Sequence, residues 1–157
     1  MYGALRHAFE ADVGNMRQQL GRLDRQSRRS NLVVHAPAHC SQQQLLSRCN
    51  EALQSQGDSH PLPCMALRSM PTRSADYRLW HLRLPDGQAK HALFRDSSGF
   101  RRDHIYLDDD LTKEQLEGRH SLRARKLELK GAGHKTWWRR NVLHWADHDG
   151  FHSQSPP

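Results

Sequence analysis

Residues 77–112, YRLWHLRLPDGQAKHALFRDSSGFRRDHIYLDDDLT, decide how this chain is read. Tyr77 to Leu84 alternates apolar and polar positions, the two-residue period of a half-buried strand. Pro85-Asp86-Gly87 then opens a short helix that carries Ala89, Ala92, Leu93 and Phe94, and Ser97-Ser98-Gly99 closes it. Ile105-Tyr106-Leu107 forms another strand, and Thr112 with Gln115 three residues on has the reciprocal spacing of a capping box. Strand, helix, strand and a capped helix therefore follow one another with little chain to spare.

Upstream, Asn31-Leu-Val-Val-His-Ala36 has the β-branched content of a strand and stops at Pro37. Ser41 starts a helix through about Ser55, with Leu45, Leu46, Cys49 and Leu53 on one face. Gly57 to Pro63 reads as a loop, Cys64 to Met70 as a strand and Pro71 to Asp76 as a second loop. The order becomes β-α-β-β-α-β over residues 30–108. This predicts an α+β fold of the ferredoxin-like, RNA recognition motif type, a plan that also serves proteins with no RNA to bind.

Two segments flank this unit. In residues 1–29, Phe9, Val13, Met16, Leu20 and Leu23 step by four and three, the alternation of a coiled-coil seam. Gly14 and Gly21 each weaken the helix by about 1 kcal/mol relative to Ala. The seam fits either the end of a coiled coil or an amphipathic helix packed on its own domain, and a basic connector, Arg22 to Arg29, follows it. In residues 109–148, a basic helix from Thr112 to about Lys130 stops at Gly131 and Gly133. Thr136–Trp138 and Val142–Trp145 then form a hairpin. Residues 149–157 are polar, end in prolines and are expected to be a disordered tail.

The chain carries a formal charge of +7, and only 36% of its residues are hydrophobic. Between Leu111 and Arg140 nine Lys and Arg face three Glu, a density that suits a polyanionic partner. No apolar run has the length of a membrane span, and the first residues lack a secretory pattern, so an intracellular protein without a membrane partner is expected. Cys40, Cys49 and Cys64 share no CxxC spacing and read as reduced thiols. No G-x-S-x-G, phosphate-binding Walker loop or HExxH element occurs, so neither catalytic residues nor a cofactor is expected. His144, His148 and His152 repeat every four residues, which on a helix could present imidazoles to a metal, but the polar surroundings of Gly150 argue against a helix and no metal site is assigned.

The connector-to-strand stretch Ser27-Arg-Arg-Ser-Asn-Leu-Val-Val34 carries a further signal, as do LWHLRLPDGQAKHAL (residues 79–93) and above all Ile105-Tyr-Leu-Asp-Asp-Asp-Leu-Thr112. Together they resemble the first open reading frame protein of LINE-type non-LTR retrotransposons. The resemblance spans roughly residues 22–147. It implies a coiled coil, an RNA recognition motif and a small C-terminal domain in that order. It also implies single-stranded RNA binding, nucleic-acid chaperoning, trimerisation and a non-enzymatic role in a ribonucleoprotein of the cytoplasm or nucleus. Two features depart from the family: the coiled coil is a stub, and His120 stands beside Arg119 where some members have a second arginine.

Arg119, Arg123, Lys126 and Lys130 step by four, three and four, so one helix face could follow a phosphate backbone. Lys135, Arg139 and Arg140 would lie on the hairpin beside it, with His120 on the helix and Arg28 and Arg29 on the connector. On the sheet, with Leu32, Val34, Trp80, Leu82 and Leu84 turned inward, His35, Tyr77, His81 and Arg83 face out, and Tyr106 is a further stacking candidate. Trp137 and Trp138 must point to opposite sides of their strand. The partner expected from these residues is single-stranded RNA, with DNA accessible to the same contacts. A degenerate interaction module without RNA binding is the rival reading, and a small metal-dependent nuclease using the His- and Asp-rich end is a third.

Overall fold

The computed structural model of the protein describes residues 2–57 and 60–157. Met1, at the head of the expected 1–29 segment, and Asp58 and Ser59, inside the expected 57–63 loop, lie outside the described residues. The fold is α+β: a long N-terminal helix followed by two antiparallel sheets, each with helices on one side.

Strand β1 (Asn31–Pro37) lies at the centre of the first sheet, between β3 (Tyr77–Arg83) and β4 (Tyr106–Asp109). Strand β2 (Leu67–Met70) pairs with the far side of β3, giving the order β2-β3-β1-β4 with every pair antiparallel. Period-two alternation sorts the strands into two faces. Leu32, Val34, Ala36, Leu67, Trp80 and Leu82 are buried on the inner face. Over them lie α2 (Gln42–Ser55), α3 (Gly87–Arg95) and α4 (Ser97–Arg102), which contribute Leu45, Cys49, Leu53, Leu93 and Phe100 to one core. Burial pushes the Cys49 thiol up to about 12, and all three cysteines are free.

Local chemistry sets the boundaries. Ser41 and Gln44 form a capping box on α2, and Thr112 and Gln115 form one on α5 (Lys113–Ser121). The Asp86 carboxylate caps α3 by accepting from the Ala89 amide. Three boundaries depart from the sequence reading. Cys64–Ala66 is a 3-10 turn, so β2 is shorter than expected. Ser97-Ser98-Gly99, read as a stop, begins α4 instead. The reason is Phe100, which is fully buried, while Arg48 lies 4.3 Å over its ring and bonds both Asp96 and Asp103. A side chain of that size needs the extra turn to reach the core. The helix expected from Thr112 to Lys130 bends at Leu122 into α5 and α6 (Arg123–Gly131), because Leu122 turns inward to meet Leu129 and Leu143.

The second sheet has three strands rather than a hairpin: β5 (Lys135–Arg139), β6 (Val142–Asp147) and β7 (Gly150–Gln154), in sequence order. Residues 150–154, expected to belong to a disordered tail, pair with β6 from Asp147↔Gly150 to Leu143↔Gln154. The β6–β7 turn is Asp147-His148-Asp149-Gly150. Asp147 accepts from the Asp149 amide, and Gly150 adopts φ +128°, a conformation costly for other residues. His144, His148 and His152 therefore sit on strands and a turn, not on a helix. Helix α1 (Tyr2–Ser27) is continuous through Gly14 and Gly21 and buries no residue; Phe9, Met16, Leu20 and Leu23 are all exposed. Among the described residues, its apolar seam packs on no other element.

Candidate nucleic-acid interface

The face of the first sheet opposite its helices is open. Register places His35 beside Leu79 and Tyr106, and Tyr77 beside Pro37. The His35 and Tyr77 rings lie 5.9 Å apart, and Tyr77 and Tyr106 are exposed. With His39, Asp76 and His104 these rings line a cavity of about 640 Å³ at one end of the sheet. Burial holds the His35 imidazole below its usual 6.5, with the nearby Asp108 carboxylate pulling the other way. The neutral ring is favoured at pH 7, and a neutral ring stacks without carrying charge into a half-buried site. Arg83 is exposed on this same face at its opposite end, with Arg68 on β2.

Beyond Tyr106 the strand runs into Asp108-Asp109-Asp110, and here much of the expected binding surface is engaged internally. Arg119 donates two bonds to Asp108, at 2.7 and 3.0 Å, and a third at 2.8 Å to the Arg140 carbonyl. Asp109 pairs with Lys90 of α3 and accepts from the Arg140 amide. Asp110, only 8% exposed, meets Arg28, Asn31 and His81. Arg28 also reaches Asp24, whose bond is the main reason its pKa is raised. Three consecutive carboxylates thus bind the end of α1, the first sheet, α3 and the β5–β6 turn into one frame. Arg28 and Arg119, expected to contact phosphates, and His81, expected on the outward face of the sheet, already have acidic partners. Arg140 contributes its backbone, at φ +54°, to that frame.

The remaining basic residues are more available. Lys126 lies 5.2 Å from the Trp138 ring centre on the inner side of β5, beside the paired Arg119 at 5.0 Å. Each such contact contributes about 0.5–1 kcal/mol, more when desolvated. Burial, and then the nearness of Lys130 and Arg119, push the Lys126 ammonium below the usual lysine value, with Asp108 opposing. Like charges held this close repel one another, and a phosphate bound among them would relieve that repulsion. His120, Arg123, Lys130, Lys135 and Arg139 are exposed. Arg29 is exposed too, while its carbonyl accepts from Lys90.

Asp108 connects the rings to the cations: it lies two residues along β4 from Tyr106, and its partner Arg119 shares the Trp138 ring with Lys126. Sequence reasoning found His35 and Tyr77, and weighed Tyr106, from alternation. It missed the anchoring role of Asp108–Asp110 and of Lys90, whose partners are distant in sequence. The chain matches no protein-family model, and no curated protein is significantly similar to it.

Proposed function

We propose that the chain is a non-enzymatic single-stranded RNA-binding protein of the LINE first open reading frame type, acting in ribonucleoprotein assembly and nucleic-acid chaperoning. The observation that carries this reading is the exposed His35–Tyr77–Tyr106 ring end on the strand of Asp108, whose partner Arg119 shares the Trp138 ring with Lys126. Antiparallel order β2-β3-β1-β4 supports an RNA recognition motif assignment, because it places β1 and β3 at the centre of a sheet whose second face is open. Bases would stack on the rings at about 1–3 kcal/mol each, and the ammonium groups would take the phosphates. Asp108–Asp110 would keep the two basic and aromatic parts in a fixed relation. The exposed seam of α1 supports a homotrimer through that helix.

A salt titration of single-stranded RNA binding tests the reading. With about four phosphates engaged, log K should fall with log salt at a slope of about −3. A flat binding constant, or none at low salt, would favour an interaction module without RNA binding. Substituting Tyr77→Ala together with Tyr106→Ala should weaken binding roughly 10-fold or more, with little change in the salt slope. Lys126→Ala with Lys130→Ala should reduce the slope. Replacing His120 by Arg should strengthen binding and steepen the slope by about 0.7.

A further inference from the structure

We infer that the outer face of the three-stranded sheet is a second base-stacking surface for single-stranded nucleic acid, an inference that rests on the proposed RNA-binding reading. The two faces of this sheet treat their rings differently. On the inner face Trp138 and Trp145 pack against the small leucine core, and Arg119, Lys126 and Arg125 lie over them. On the outer face Trp137 stacks on His144, with centres 5.8 Å apart and planes 13° from parallel. Phe151 stands edge-on to Trp137 at 6.2 Å and is 85% exposed.

Strand alternation puts Lys135 and Arg139 on the same side as Trp137, and both are exposed. No acidic residue shares that face of β5, β6 or β7, whereas the acids of this region sit in the 147–150 turn. Three rings, with Trp137 in contact with both His144 and Phe151, flanked by two cations four residues apart on one strand, match the chemistry of a nucleic-acid strand, with bases on rings and phosphates on ammonium and guanidinium groups. An acidic protein partner would satisfy the cations but has no need of the rings. Stacking of this kind is tolerant of sequence because every base has a π-face. Since the rings are held by their own contacts, little side-chain freedom would be lost on binding.

The test measures affinity of the full chain for oligouridine and oligothymidine of graded length, alongside its tryptophan fluorescence. Phe151→Ala, and separately Lys135→Glu with Arg139→Glu, should each lower affinity for the longer oligomers by about 5-fold or more. Phe151→Tyr should retain it. Binding should quench tryptophan emission, and Trp137→Phe should remove most of that quench; this readout serves even if Phe151→Ala disturbs β7. Equal effects on both oligomers fit stacking alone, and a larger effect on oligouridine adds a contact to the ribose hydroxyl. If the protein binds oligomers yet both variant sets leave affinity unchanged and the quench survives in Trp137→Phe, the second surface is refuted while the first stands. If the unaltered protein binds neither oligomer at any length, both readings fall together.

Discussion

The two sheets cover their inner faces by different means. The four-stranded sheet lies under three helices and a continuous aliphatic core that closes around the fully buried Phe100. The three-stranded sheet lies under a bent helix pair, with Leu122, Leu129 and Leu143 as its buried residues and charged side chains laid over its tryptophans. A core that small supplies little stability by itself. The Asp108–Arg119 pair and the bond from the Arg140 amide to Asp109 join it to the larger unit, so docking offsets what the small core lacks. Polar contacts that a sequence scan assigns to a ligand can therefore belong to the fold, and the residues left over are the better candidates for binding.

Core substitutions probe this contrast most strongly. Phe100→Ala should cost about 3–5 kcal/mol and lower the urea midpoint of the whole protein. Leu143→Ala should cost about 2–4 kcal/mol. Its effect should be confined: hydrogen exchange should quicken in β5, β6 and β7 while β1 and β3 keep their protection. Equal loss of protection in both sheets would show that they unfold as one unit.

Smaller changes address the joint. Asp108→Ala leaves Arg119 without its carboxylate and should cost about 1–2 kcal/mol, seen as faster proteolysis near residue 122. Arg140→Gly should work in the opposite direction. It keeps both backbone bonds, relieves a left-handed residue that costs about 1–2 kcal/mol, and adds about 0.5–1 kcal/mol of chain entropy to be lost on folding. The net expectation is a gain of about 0.5–1 kcal/mol, measured by thermal denaturation.

Acid should separate the two sheets most gently. The folded pKa of His35 is lowered, so the unfolded chain binds more protons between that value and 6.5. Stability from His35 is therefore present above 6.5 and declines as the pH falls through that interval, an effect His35→Phe should abolish. Asp147 in the second sheet behaves differently, because the His152 bond holds its carboxyl below 3.8. That contribution persists until the pH falls below 3.8. Chemical shifts of the His35 ring and of the Asp147 carboxyl across an acid titration would check the order.

Much of the first unit was legible in the sequence, because alternation in 31–36 and 77–84 and the caps at Ser41 and Thr112 are local signals. The departures have non-local causes. Helix α4 exists because Phe100 and Arg48, far apart in the chain, need each other. The bend at Leu122 exists because that side chain must reach Leu143. Strand β7 looked like a tail because its apolar content is slight, and β6 supplies its hydrogen bonds. At the site, exposed rings followed from periodicity. Whether a given arginine faces solvent or a carboxylate depended on which strand ends meet, and sequence spacing does not encode that.

Helix α1 ends where Arg28 grips the same carboxylate that holds His81 of the sheet. A rod of about 39 Å is thereby tied at its end to the sheet through Asp110. If copies align along their rods and bind single-stranded RNA as proposed, a strand leaving one face would meet the next at about millimolar effective concentration. Weak stacking on each copy would then suffice for tight retention of a long strand, and short strands would be released.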